Sequence, residues 1–270
     1  MLKEITIGQY IPGDSFIHKL DPRTKILISM LFIVSLFIMN KYVGYIFVTA
    51  FLCASILFSQ VHLRFLYKGL KPVFVLILIT AALNVFMIQG KPENLLFVWK
   101  FLKIYKEGID TAVFMTLRLI FLILGTSLLT LTTSPIELTD GIENLLNPFK
   151  KIGVPAHELA MMMTIALRFI PTLMDETDKI MKAQQARGAD FESGNVIQKA
   201  KSLIPLLVPL FISSFRRADE LAMAMEARCY RGGEGRTRMK QLKYGARDVV
   251  AYIIIIALLV ISFYIRFGIK

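Results

Sequence analysis

Charge-free apolar runs and amphipathic stretches alternate along this chain of 270 residues. Tyr42–Leu63, Pro72–Gly90, Leu119–Ile136 and Val249–Ile265 contain no Asp, Glu, Lys or Arg. Each is long enough for a helix to cross a bilayer, which takes about 20 residues and works with roughly 17. A fifth run, Ile26–Met39, has only 14 residues. Its left flank extends it, because Asp21-Pro22 has the form of an N-cap followed by proline at the first helical position, so the helix starts at Pro22. Arg23 and Lys25 then fall in the first turn, from which long cationic side chains reach the interface. Only Asn40-Lys41 separates the first two spans, which predicts a tight antiparallel hairpin.

Between the fourth and fifth spans the pattern becomes amphipathic. Ser134-Pro135-Ile136-Glu137 reads as a capping box with proline at its first helical position. It opens a short helix with apolar Leu138, Ile142, Leu145 and Leu146 that closes at Asn147-Pro148. After a turn at Gly153-Val154-Pro155, a long helix runs to Ala186 with Gly188 as its stop. A third helix is expected from about Gln198 to Tyr230, stopping at Gly232-Gly233.

Composition agrees with a membrane protein: 55% of residues are hydrophobic and 19% charged, against roughly 25% charged in an average soluble domain. Two cysteines exclude a disulfide scaffold. The net charge of +12 would suit nucleic acid, but 14 of the 20 acidic residues share segment 132–248 with 17 of the 32 basic ones. That segment is mixed, with no phosphate-binding stripe, and no nucleic-acid partner is expected. Lys and Arg near the span ends number 15 on the side of the N-terminus and seven on the other. The positive-inside rule therefore places the N-terminus and segment 132–248 in the cytoplasm and the C-terminus outside. Pro12-Gly13-Asp14-Ser15 occupies the place of a signal-peptide core, so the N-terminus is expected to stay on the mature protein. The outer loop 91–110 reads either as an interfacial amphipathic stretch with Trp99 at headgroup depth or as a sixth span.

The last two amphipathic helices end alike. Asp178–Gly188 and Asp219–Cys229 align at an offset of 41, matching Asp178 with Asp219, Ala183 with Ala224, Ala186 with Ala227 and Arg187 with Arg228. In each copy a small alanine precedes an arginine at a helix stop, so the guanidinium projects from the end of a rod. A cation there is favoured by the helix dipole, and its planar fork suits a partner's carboxylate. The arginines either cap their own helices or dock a partner; recurrence in matched positions favours docking. Pro171, Pro205 and Pro209 interrupt helical patterns and predict kinks or breaks. Met161, Met162, Met163, Met223 and Met225 serve either as core filler or as a surface that repacks against partners.

No P-loop, His-Glu-x-x-His or Cys-x-x-Cys pattern occurs, so no catalytic or metal-ligating residue is assigned. Arg118 adjoins the fourth span, where it could face a partner helix, bind lipid phosphate or reach the interface. A membrane-embedded enzyme acting on lipid or phosphate headgroups and a scaffold without turnover are open readings.

The run from Gly8 to Lys25, GQYIPGDSFIHKLDPRTK, the Thr132-Thr133-Ser134-Pro135 element and the paired Ala186-Arg187-Gly188 and Ala227-Arg228-Cys229 endings resemble the transmembrane T component of energy-coupling factor (ECF) transporters. The resemblance covers nearly the whole chain. It implies an all-α, polytopic membrane protein with about five transmembrane helices and three cytoplasmic coupling helices. Expected segments are a cytoplasmic 1–21, a four-helix membrane region 22–131, the coupling domain 132–248, and a last span and outer tail 249–270. It further implies that the two arginine endings dock into two ABC-type ATPases, a heterodimer that binds ATP and Mg, while this chain binds no cofactor. One or more small S components would carry a vitamin or other micronutrient. Cys229 departs from the glycine usual in the family, so the expectation covers the docking role of Arg228 but no special backbone geometry after it.

Overall fold

The structure, a computed structural model, describes residues 10–88, 90, 94–99, 102–191, 195–233 and 241–268. Gly8, Lys3, Lys91, Lys100, Arg236, Arg238, Lys240 and Lys270 lie outside the described residues, as do the side chains of Trp99 and Lys103. The elements are α1 (Pro22–Ile38), α2 (Tyr42–Ser59), α3 (Leu63–Leu70), α4 (Phe74–Met87), β1 (Leu95–Trp99), β2 (Leu102–Tyr105), α5 (Lys106–Thr132), α6 (Pro135–Leu146), α7 (Ala156–Ala186), α8 (Val196–Ser202), α9 (Ile204–Ala227) and α10 (Ala246–Phe267). A 3-10 turn over Lys71–Val73 joins α3 to α4, and another over Asn147–Ile152 follows α6. The chain forms two compact units: α1 to α5 with α10, and α7 to α9; it passes from one to the other inside α6, after Gly141.

This is an all-α polytopic membrane protein. Among the described residues four helical stretches are long and apolar enough to cross a membrane: Tyr42–Ser59, Leu63–Met87, Lys106–Thr132 and Ala246–Phe267. The 17-residue α1 is the fifth apolar helix and lies in the middle of the first unit, against α10, α5 and, through its C-terminal turn, α2. Phe32 and Leu36 of α1 and Met39 just past its end meet Tyr45, Val48 and Leu52 of α2, Phe121, Leu128 and Leu131 of α5, and Ile255 and Leu258 of α10. Of the spanning stretches, Leu63–Met87 is the least covered, with 6% of its apolar window buried.

Two boundaries differ from the sequence expectation. The fourth span starts at Lys106, not Leu119, and its 27 residues include Arg118. A charge-free window stops at Arg118 by construction, whereas the helix tolerates it because the guanidinium donates to Met39 O at 3.0 Å and Asn40 Oδ1 at 3.3 Å and lies 5.3 Å from the Phe37 ring. Those carbonyl-side groups close the end of α1, so Arg118 serves as its C-terminal cap. The loop 91–110 is not a sixth span: its described residues include two short strands. It contains an antiparallel ladder pairing Leu95 with Tyr105 and Trp99 with Leu102, and its last five residues already belong to α5.

The first turn of α1 also departs from the sequence expectation. Asp21 caps the helix by accepting from Arg23 N at 2.9 Å, as the sequence predicts. Arg23 does not extend outward: it folds back onto the Asp21 carboxylate at 2.8 Å and lies 4.0 Å from the Tyr244 ring. Lys25 is buried, donating to His18 O at 3.1 Å and Thr132 O at 2.8 Å. Asp248, at the start of α10, accepts from the buried Asp21 N–H at 2.9 Å and from Gly245 N at 2.8 Å. The Asp-Pro-Arg-Thr-Lys run thus ties the preceding loop, α1, the end of α5 and the start of α10 into one polar knot.

Candidate functional site: paired helix ends

The second unit places the matched endings on α7 and α9. The expected third amphipathic helix is split in two: α8 stops at Ser202 and α9 starts at Ile204, with Pro205 in its first turn. Proline needs no backbone donor there, so Pro205 opens a helix and the break falls before it. Pro171 and Pro209 lie inside α7 and α9.

Both helices end in the same hydrogen-bonded geometry. In α7 the Gly188 N–H donates to Gln185 O and the Ala189 N–H to Gln184 O, both at 2.9 Å. In α9 the Cys229 N–H donates to Glu226 O at 2.8 Å and the Tyr230 N–H to Met225 O at 3.0 Å. Each pair is a Schellman closure, which needs a left-handed residue just past the helix. Gly188 supplies it with φ of 90° and Cys229 with φ of 53°. The special backbone geometry, which the expectation for Arg228 did not include, is therefore present at Cys229, held against a left-handed cost of about 1–2 kcal/mol for a residue with a β-carbon. Arg187 and Arg228 occupy equivalent C-caps, with φ, ψ of −88°, 5° and −92°, 13°. Both side chains are exposed, as are Ala186 and Ala227 beside them.

The repeat extends back to the contact between the two helices. Arg217 of α9 donates to Glu176 of α7 at 2.9 Å, and the two positions are themselves 41 residues apart. The Ser213 hydroxyl bonded to Glu176 and the Arg217 charge hold that carboxyl below its ordinary value, against the opposing effect of burial. From this bridge each arginine lies 11 residues along its helix, about 16 Å at 1.5 Å per residue. Gln184, beyond the bridge on α7, donates to Pro205 O, which precedes the bridge on α9. The helices therefore run antiparallel across the contact, and the arginine ends leave it in opposite directions on arms of equal length.

Met162, Met163 and Met223 are exposed and Met161 and Met225 half-buried. Sequence reading missed a stronger apolar surface, although its helical spacing was visible. Ile204, Leu207, Val208, Phe211, Ile212 and Phe215 lie on α9 at i, i+3, i+4, i+7, i+8 and i+11, and all are exposed. Among the described residues no group of three His, Cys, Asp or Glu side chains could hold a metal ion.

A family model described as cobalt transport protein, CbiQ, matches residues 13–239. The chain is 72% identical over 262 residues to the energy-coupling factor transporter transmembrane protein EcfT of Clostridium kluyveri, covering 97% of each chain. It is 63% identical over 252 residues to the EcfT of Thermosediminibacter oceani, covering 93% of this chain and 94% of that one. With the EcfT of Bacillus subtilis it shares 49% identity over 266 residues, covering 98% and 100%.

Proposed function

Since this chain belongs to the family of energy-coupling factor transporter transmembrane proteins, we propose that it is the non-catalytic subunit that couples two ABC-type ATPases to a substrate-binding S component. The observation that carries the reading is the pair of equivalent arginine caps, each 11 residues from a shared salt bridge and pointing away from it. A heterodimer of ATPases presents two similar grooves related by an approximate two-fold axis, and two like ends on equal arms suit such a partner. Ala186, Arg187 and Gly188 dock at one groove, and Ala227, Arg228 and Cys229 at the other. ATP and Mg reside on the ATPases, whose movement the two helices transmit.

The S component is the partner for exposed apolar surface. The α9 stripe from Ile204 to Phe215 and the methionines Met161, Met162, Met163, Met223 and Met225 would cover it, and Pro171 and Pro209 would let the rods bend. The cargo, held by the S component, is a vitamin or other micronutrient. The N-terminus and the α7–α9 unit are cytoplasmic and the C-terminus is outside, a reading that the Lys and Arg distribution supports.

Co-purification of the assembled transporter tests the reading. Arg187→Glu or Arg228→Glu should reduce ATPase recovery and abolish uptake while membrane insertion stays normal. Losing one partner of a buried ion pair costs about 3–5 kcal/mol. Normal assembly and transport by the double variant would overturn the docking role.

A further inference from the structure

The two arginine ends are alike in their backbone but not in what holds the chain beyond them. Tyr230, the residue that closes the second Schellman turn, places its hydroxyl 3.3 Å from His157 Nε2. The other nitrogen of that ring, Nδ1, lies 3.0 Å from Glu143 Oε1. The imidazole thus pairs through both nitrogens, Nδ1 with the carboxylate and Nε2 with the tyrosine hydroxyl, which can donate and accept. Three elements meet here, since Glu143 is on α6, His157 in the first turn of α7, and Tyr230 two residues past Arg228. Gly233 approaches the imidazole closely, and an added β-carbon there would stand 2.5 Å from the ring. The Glu143 carboxylate and the His157 ring are mostly enclosed, with side-chain exposures of 13% and 30%.

At the first end the contact is of another kind. Gln184, in the last turn of α7, reaches across to Pro205 O of α9 at 3.4 Å. The sequence repeat stops short of this contact: position 189, which aligns with Tyr230, is alanine.

We propose that His157 is a positioning residue for Arg228: bridging Glu143 to Tyr230, it fixes the turn after α9 and so the direction of the second arginine, leaving Arg187 unaffected. The proposal rests on the docking reading, in which the direction of each guanidinium decides ATPase binding. Neither His157 nor Tyr230 touches the partner; each acts through the backbone of residues 228–230.

A mutant cycle in the assembled complex separates the possibilities. His157→Ala and Tyr230→Phe are made in wild-type, Arg187→Ala and Arg228→Ala backgrounds, and ATPase affinity is measured for each. Either lock substitution should weaken binding roughly 2- to 12-fold, the equivalent of one hydrogen bond, in the wild-type and Arg187→Ala backgrounds. Neither should change it in the Arg228→Ala background, where the aimed group is gone. Equal losses in both arginine backgrounds would mean general destabilisation and overturn the proposal, as would no loss in either. If Arg187→Ala and Arg228→Ala themselves leave affinity unchanged, the docking reading fails instead. Hydrogen exchange then decides the lock alone: His157→Ala must speed exchange at the Tyr230 N–H and not at the Ala189 N–H, and unchanged exchange at Tyr230 overturns it.

Discussion

Exchanging the residues that follow the two arginines gives a direct test of the paired-end geometry. Cys229 holds φ of 53° in an exposed turn, and Gly188 holds φ of 90° with nothing within 4 Å of where a β-carbon would stand. The cost of either substitution is therefore a backbone cost, free of clashes. A left-handed residue with a β-carbon costs about 1–2 kcal/mol, and the greater freedom of glycine in the unfolded chain takes back roughly 0.5–1 kcal/mol. Cys229→Gly should stabilise the end of α9 by about 0.5–1 kcal/mol, and Gly188→Ala should destabilise the end of α7 by a similar amount. Local opening then shifts about 2- to 5-fold, which amide hydrogen exchange resolves. Protection should rise at the Tyr230 N–H, bonded to Met225 O, and fall at the Ala189 N–H, bonded to Gln184 O. Cys229→Ala removes the thiol but keeps the left-handed strain, so it should leave Tyr230 protection near wild type. Unchanged or lower protection at Tyr230 in Cys229→Gly would refute the claim that Cys229 is held in a glycine's conformation.

Three further outcomes follow from contacts elsewhere. The Glu176 carboxyl is held below its ordinary value, so its bridge to Arg217 contributes fully above the ordinary carboxylate pKa and is lost as pH falls through the lowered one. For a half-buried pair still reached by solvent that contribution is about 0–1 kcal/mol. Spin-label distances between α7 and α9 should loosen on that acid limb in the wild type, and an equal acid response in Glu176→Gln would assign the effect to other carboxylates. Asp248→Ala strands the buried Asp21 N–H, at about 1–3 kcal/mol, and removes the α10 cap, at about 1 kcal/mol. The thermal midpoint in detergent should drop clearly, and an unchanged midpoint would deny the polar knot its role. Arg118→Met takes the charged donor from Met39 O, a bond of about 1.5–3 kcal/mol. It should lower that same midpoint while ATPase recovery stays normal, whereas loss of ATPases would place Arg118 in the coupling path.

Much of this protein is written locally. The start of α1 follows from Asp21-Pro22, and the start of α6 from Ser134-Pro135, where Glu137 N donates to Ser134 Oγ at 3.3 Å. The ends of α7 and α9 follow from two short, matching stretches. Each depends on residues a few positions apart, and capping energies act over that range. The apolar runs fixed which segments can cross a membrane, because that requirement is a matter of length and transfer energy alone.

What the sequence could not decide depends on residues far apart in the chain. The start of α5 at Lys106 was hidden because Arg118 is acceptable in a helix only once Met39 O, 79 residues away, is there to receive it. Lys25 reads as an outward-reaching anchor until the carbonyl of Thr132, 107 residues on, draws it inside. The left-handed turn at Cys229 runs against its own residue type and persists because the Schellman bonds of α9 close over it. The equal arms of the two arginine ends come from Glu176 meeting Arg217. The 41-residue repeat was visible in the sequence; that two of its equivalent positions bond to each other, and so set the ends facing apart, was decided by the packing of one helix on the other.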